Sequence, residues 1–378
     1  MVELTDGFAI NVLKELVAID STVNTGEYEC ASKVKDIFSS FGVNAEVDAW
    51  DGRRANVEAI IKGKDSKGGL MFASHLDVVE ADAESWQSEP FKPVIRDNRL
   101  FGRGTVDMKG GMAAVITAMK ELVEEGIEFK HDVIFAATAG EELDSVGAFR
   151  YLEKRESLKG NLTGIIVPEP TSMGLKIAHK GILWLEITFK GKPAHGSMPH
   201  LGVNAIENAF KLHAEMKKLG LETISDKTLG SCSMSCNKMN AGVAANIVPD
   251  ECKVCYDIRL IHGVNKEDVI DKVKALIDKF SAADKTFNAS ISIARYCPAL
   301  YTDPENDFVR KVAGISNSDI GVVSFTTDSP YFASLQAPVV VIGPGDSGMC
   351  HQVDESLEIE ELEKTKKLYR DIITQVCC

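Results

Sequence analysis

Gly69-Leu-Met-Phe-Ala-Ser-His-Leu-Asp77 is an apolar run that ends on a histidine and, two residues on, an aspartate. Short apolar runs bounded by glycine or proline read as buried strands. Three more runs lead to ionisable residues in the same way. His131-Asp-Val-Ile-Phe-Ala-Ala-Thr138 precedes the pair Glu141-Glu142, Gly164-Ile-Ile-Val-Pro168 precedes Glu169, and Ala337-Pro-Val-Val-Val-Ile342 comes shortly before His351. In an open α/β sheet, ligands bind outside the carboxyl ends of the strands. His75, Asp107, Glu142, Glu169 and His351 therefore make a set of metal-type ligands. Two imidazoles and three carboxylates suit zinc or a similar divalent ion. Glu141 is left over from that set and suits a general base. This is the outline of a hydrolytic site.

Each feature alone has an ordinary explanation, and the conjunction carries the reading. Alternate residues of a strand share a face, so Asp77 can lie near His75 and fix its ring. Either could equally cap a strand at the surface. Gly102-Arg-Gly-Thr-Val-Asp-Met-Lys-Gly-Gly111 sets one carboxylate among glycines. A carboxylate can bridge two cations about 3.5–4 Å apart, but an aspartate before a helix is also a common N-cap. Glu141-Glu142 by itself is an acidic first helical turn. Glu169 stands between Pro168 and Pro170 in a stiff loop, and His351 arrives on the flexible loop Gly343-Pro-Gly-Asp-Ser-Gly-Met-Cys-His351. Five ligand-type residues and a further glutamate, all near strand ends, rarely coincide by chance.

The chain has 378 residues, enough for two domains and a sizeable core. It is 44% hydrophobic and 26% charged, and 42 Lys+Arg against 56 Asp+Glu give −14. That balance argues against a nucleic-acid or anionic-membrane partner. Met1-Val-Glu-Leu-Thr-Asp-Gly7 lacks a basic region followed by an apolar core, so no leader is expected. No apolar run approaches the roughly 18 residues that span a bilayer. Nine scattered cysteines in a chain of this size read as reduced thiols, with a cytoplasmic location expected. Cys232-x3-Cys236 with Cys252-x2-Cys255 resembles a zinc-ribbon spacing, yet Cys252 and Cys255 fall on opposite faces of an alternating strand.

Helical spacing appears over 8–18 and 28–41, and a helix over 109–124 begins just after Asp107. Its two glycines cost helix stability, so close packing or a backbone approach is expected to justify them. From about 177 the pattern changes. A strand at 182–189, a helix at 203–218, strands near 231–239 and at 251–260, a helix at 266–280 and a strand at 287–295 give the order β-α-β-β-α-β. That order predicts a ferredoxin-like inserted domain. The expected architecture is α/β: a mixed-sheet catalytic, metal-binding domain (1–176 and 294–378) with an inserted α+β lid or dimerisation domain (177–293). The chain then ends in an amphipathic helix over 357–375.

Ser74-His75-Leu-Asp77, Gly102-Arg-Gly-Thr-Val-Asp107-Met-Lys-Gly-Gly, Gly140-Glu141-Glu142, Pro168-Glu169-Pro-Thr and Cys350-His351-Gln-Val-Asp-Glu355 resemble the co-catalytic zinc amidohydrolases and peptidases. That family groups acetylornithine deacetylase, succinyl-diaminopimelate desuccinylase, aminoacylase and glutamate carboxypeptidase. The resemblance covers essentially the whole chain and implies a zinc-peptidase-like fold. By that likeness two Zn²⁺, with Co²⁺ or Mn²⁺ as substitutes, are bridged by Asp107. His75 and Glu169 complete one site, Glu142 and His351 the other, Glu141 is the base, and the Asp107–Met108 peptide is cis. The resemblance also implies that His195, in Gly191-Lys-Pro-Ala-His195, stabilises an oxyanion, often in the site of a partner subunit. Asn246 resembles a substrate-binding residue and Arg259 a carboxylate anchor. A surface-turn histidine, and an outward arginine paired with Asp257, are the plain alternatives.

Where desuccinylases show Arg-Arg-Gly-Ser this chain has His179-Lys-Gly-Ile182, and where they carry paired asparagines it has Ala245-Asn246. Both weaken a strict desuccinylase reading, and Ala178-His-Lys-Gly181 looks closer to acetylornithine deacetylase and general peptidase members. Glu rather than Asp at position 169 resembles acylases and carboxypeptidases more than aminopeptidases. The sequence thus reads as a dimeric, metal-dependent hydrolase of small N-acyl amino acids. An exopeptidase acting on short peptides is the alternative within enzymes. A catalytically silent binding protein would be marked by loss of a ligand or of the base, and all six positions are present.

Overall fold

The computed structural model describes residues 7–378, so the leader reading of the opening residues falls, up to Asp6, outside them. The chain divides into two compact units. One takes in the chain up to Ile177, Thr302–Val323 and Thr327–Cys378. The other is Ala178–Tyr301 with Ser324–Thr326. The sequence set the insert at 177–293, and the compact unit runs eight residues further before the chain returns.

The first unit is built on a mixed sheet. Its strands lie in the order Ala45–Trp50, Arg54–Ile61, His131–Thr138, Asp65–His75, Leu162–Val167, Val339–Val341 and Lys176–His179. The middle four are parallel to one another, and the outer pairings are antiparallel. Parallel strands covered on both faces must be apolar throughout, which explains why these runs do not alternate. Leu70 to His75 and Asp132 to Thr138 are buried without a break. The helices Phe8–Val17, Tyr28–Ser40, Lys109–Glu124 and Ile359–Cys377 pack with one another. Val146–Lys154 packs with Ser329–Phe332 and against the sheet.

Because four strands run the same way, His75, the Gly140–Glu142 turn, Glu169 and the loop to His351 all leave one edge of the sheet. The helix Lys109–Glu124 begins there too. Its glycines are close-approach positions. A Cβ on Gly111 would come within 2.2 Å of the Pro168 carbonyl, and one on Gly110 within 2.4 Å of the Thr105 carbonyl. A Cβ on Gly343 would come within 2.4 Å of the same Pro168 carbonyl. The strut Pro168-Glu169 is thus held between a helix start and a distant loop, which fixes where Glu169 emerges.

The second unit follows the order strand Gly181–Lys190, helix Ala205–Met216, strands Ser233–Ala241 and Glu251–Leu260, helix Lys266–Ala283 and strand Asn288–Cys297. In space the strands lie second, third, first, fourth, all antiparallel, which is the split β-α-β arrangement. Both helices pack on the sheet and on each other. Among the described residues, no helix is long and apolar enough to cross a membrane.

Candidate metal centre

His75 is the last residue of its strand and is buried. Its Nε2 lies 3.0 Å from Asp107 Oδ1 and 3.5 Å from Glu169 Oε1. His351, on the far loop, places Nε2 3.3 Å from Asp107 Oδ2 and 2.9 Å from Glu142 Oε1. Two groups result, His75–Asp107–Glu169 and Asp107–Glu142–His351, each with its ligand atoms within 4.8 Å of one another. Asp107 belongs to both, one oxygen toward each imidazole. The Asp107–Met108 peptide is cis. The cysteines at 232, 236, 252 and 255 form no such group among the described residues, and all nine cysteines are free thiols.

Glu141 stands outside both groups, 8% exposed, in a small cavity shared with Ser74, His75, Glu169 and Asp328. Burial, reinforced by the nearby Asp328 charge, holds its carboxyl well above the ordinary range. Burial and the Asp107 charge push Glu169 up to about 7. Hydrogen bonds to Asp107 and Glu142 push His351 up to about 10. Burial alone would lower the His75 imidazole, but contacts with Asp107, Asp77 and Glu169 raise it well above its ordinary value. Three carboxylates face two imidazoles in this cluster, a surplus of negative charge. Nitrogen and carboxylate donors with surplus negative charge fit two divalent ions.

Asp77 does more than the sequence suggested. His75 Nδ1 lies 3.0 Å from the Asp77 backbone carbonyl and 3.6 Å from its carboxylate. The fully buried carboxylate mainly accepts backbone N–H groups, from Gly140 (2.9 Å) and Glu141 (3.1 Å) on Oδ1 and from Glu142 (2.9 Å) on Oδ2. One side chain thus shapes the turn that carries both the leftover glutamate and a ligand-type glutamate. Strand alternation could place Asp77 near His75 but carried no signal for this contact. Glu355, the last residue of the Cys350–Glu355 motif, is likewise a buried acceptor for the Asp107 loop.

His195, Asn246 and Arg259 fall in the second unit. The structure brings His195 and Asn246 together: Gly196 N–H donates to the Asn246 carbonyl at 2.7 Å, and His195 bridges Ile247. Ser197 N–H points at His195 Nδ1, 3.2 Å away. Ser197 Oγ lies closer still, 2.8 Å from Nδ1, so Nε2 is the ring nitrogen that Ser197 does not engage. Arg259 forms a bidentate pair with Asp257, Nε to Oδ1 at 2.7 Å and Nη2 to Oδ2 at 2.9 Å, and Trp184 Nε1 also donates to that carboxylate.

Residues 71–375 match Peptidase family M20/M25/M40. The chain belongs to that family. It is 30% identical to a probable succinyl-diaminopimelate desuccinylase of Staphylococcus epidermidis, over 98% of both chains. It is also 30% identical to an acetylornithine deacetylase of Buchnera aphidicola, over 83% of this chain and 82% of that one. A metallo-carboxypeptidase of Sulfolobus solfataricus has a similar fold, with a TM-score of 0.81, 20% identity, and coverage of 97% and 99%. Membership in the M20/M25/M40 family makes the protein a hydrolase of the metallopeptidase and amidohydrolase type, and its two ligand groups are the matching candidate metal centre.

Proposed function

We propose that this enzyme hydrolyses the amide bond of a small N-acyl amino acid with two zinc ions. His75, Asp107 and Glu169 would hold one, and Asp107, Glu142 and His351 the other. The observation that carries the reading is the double engagement of Asp107, one oxygen toward each imidazole, with Glu141 outside both groups. When bound, such ions supply Lewis acidity that polarises an amide carbonyl and eases the deprotonation of water. Glu141 takes a proton from the attacking water and passes it to the departing nitrogen. Its burial strengthens its hold on that proton in between. His195 offers Nε2–H to the developing oxyanion, in the partner subunit's site. Asn246 contacts substrate beside it. Arg259 keeps one edge on Asp257 and presents its Nη1 side to the substrate carboxylate.

The dimer reading is supported by the strand Ser233–Ala241, which sits at the edge of its sheet and is exposed along nearly its whole length. Such an edge is a template for pairing with a second copy. Nine free thiols favour a reducing, cytoplasmic setting. The names of the two relatives favour a short acyl group, while His179-Lys180-Gly181-Ile182 and Ala245-Asn246 weigh against a strict desuccinylase. The second reading, an exopeptidase, keeps the same site and differs only in the bond presented. Hydrolysis of N-acetyl and N-succinyl amino acids and of dipeptides, each with Zn²⁺, Co²⁺ or Mn²⁺, tests the proposal. Faster turnover of the acyl amino acids is expected. Dipeptides in front would favour the exopeptidase, and no turnover by metal-loaded protein would end both readings.

A further inference from the structure

The two ligand groups differ in how they are supported. His75 ends a central strand and Glu169 follows the neighbouring one, so the sheet itself fixes both. Glu142 sits on a turn, and His351 sits on a loop with 48% of its side chain exposed and a left-handed backbone. Something else must hold Asp107 and His351 in register.

That support is a buried ion pair. Glu355 is fully buried, and its Oε2 accepts Arg103 Nη1 at 2.7 Å and Gly104 N–H at 3.1 Å. Its Oε1 accepts the N–H groups of Val106 at 2.7 Å and of Asp107 itself at 3.1 Å. Arg103, buried over the Trp86 ring, reaches the other loop, with Nη1 3.3 Å from the Gln352 carbonyl and Nη2 3.4 Å from the His351 carbonyl. The two partners are 252 residues apart in the chain. A small sheet ties the same segments together, with Arg99–Phe101 pairing Ser356–Glu358 and Gly102 N–H donating to the Glu355 carbonyl at 3.0 Å. Beyond that sheet, both loops share one carboxylate–guanidinium contact.

We infer that Arg103 and Glu355 are positioning residues that weigh most on the second cation site, Asp107–Glu142–His351, where they support both Asp107 and His351, and less on the first, which they reach only through Asp107 while the sheet fixes His75 and Glu169. This rests on the two-ion reading above. Groups that orient metal ligands without touching the metal typically alter affinity 10–100-fold when replaced. Glu355→Gln keeps the shape but loses the charge that accepts four donors. Arg103→Lys keeps a cation but not the fork that spans both loops.

The test is metal stoichiometry and affinity, measured by adding Zn²⁺ in competition with a chelator and by the visible spectrum of Co²⁺ added one equivalent at a time. Wild type taking up fewer than two ions defeats the two-ion reading itself. With two in wild type, both variants should bind the second ion about 10–100-fold more weakly and lose markedly less affinity for the first. Second-ion affinity unchanged in either folded variant, or an equal loss at both sites, overturns the inference. So does failure of both variants to fold, since the pair would then be a fold support.

Discussion

Glu141 and Glu142 are adjacent in sequence and differ in their surroundings. Glu142 Oε1 lies 2.9 Å from His351 Nε2, whereas Glu141 belongs to neither ligand group. Glu141→Gln should keep its metal and lose about 10²–10⁴-fold in kcat, the usual size of general-base catalysis. Glu142→Gln should instead lose metal, measurable by elemental analysis before any assay. Near-normal turnover in Glu141→Gln would remove it from the role of base. Arg259 is the residue whose chemistry the sequence left most open, and its pairing with Asp257 makes the alternatives sharp. A site that pairs a carboxylate with a guanidinium discriminates strongly against a carboxamide, which leaves the charge unmatched. Free-carboxylate substrates should therefore beat their carboxamides in kcat/KM, and Arg259→Ala should erase most of that preference with metal content intact. Equal ratios in both proteins would leave Arg259 as the partner of Asp257 alone.

At the scale of elements, the strands and helices were legible because their periods were unmixed. The parallel strands gave unbroken apolar runs, and Glu251–Leu260 gave alternation because only part of its sheet is covered. The clustering of His75, Glu142, Glu169 and His351 was legible because four parallel strands must deliver their ends to one edge, so a His or Glu after each run is informative. What joins those ends was not legible. The contacts of Asp77 with the 140–142 turn span more than sixty residues and involve backbone N–H groups, which have no sequence signature. The same holds for Arg103 and Glu355. Asp77→Ala should orphan three N–H groups, two of them buried, and each unsatisfied buried donor costs ~1–3 kcal/mol. After relaxation, a loss of about 3 kcal/mol in urea unfolding of the metal-free protein is expected, together with weakened metal binding through Glu142. Asp77→Asn keeps one oxygen and should lose less. Equal, small losses in both would show that the turn holds its shape without the carboxylate.

For the whole molecule, the site makes stability depend on pH and metal together. In the metal-free protein Glu169 is raised from 4.5 to about 7 and His351 from 6.5 to about 10. Both shifts are upward, so both groups bind protons more tightly folded than unfolded. Their contribution to stability is complete below the unfolded values and declines as pH rises, through 7 for Glu169 and through 10 for His351. A divalent ion needs the same ligands without their protons, so binding expels protons and tightens over that window. Bound metal stabilises by mass action in proportion to that affinity. The melting temperature of metal-free protein should therefore fall between about pH 6 and pH 9, while that of protein with a fixed excess of Zn²⁺ falls less or rises. The gap between the two curves should widen steadily with pH. Thermal unfolding with chelator and with Zn²⁺, across that range in one buffer series, measures it. A constant gap would mean that the protons at His351 and Glu169 are not what metal displaces, and the ligand set would have to be sought elsewhere. The Glu142→Gln variant, lacking one of those ligands, should show a narrower and flatter gap in the same experiment.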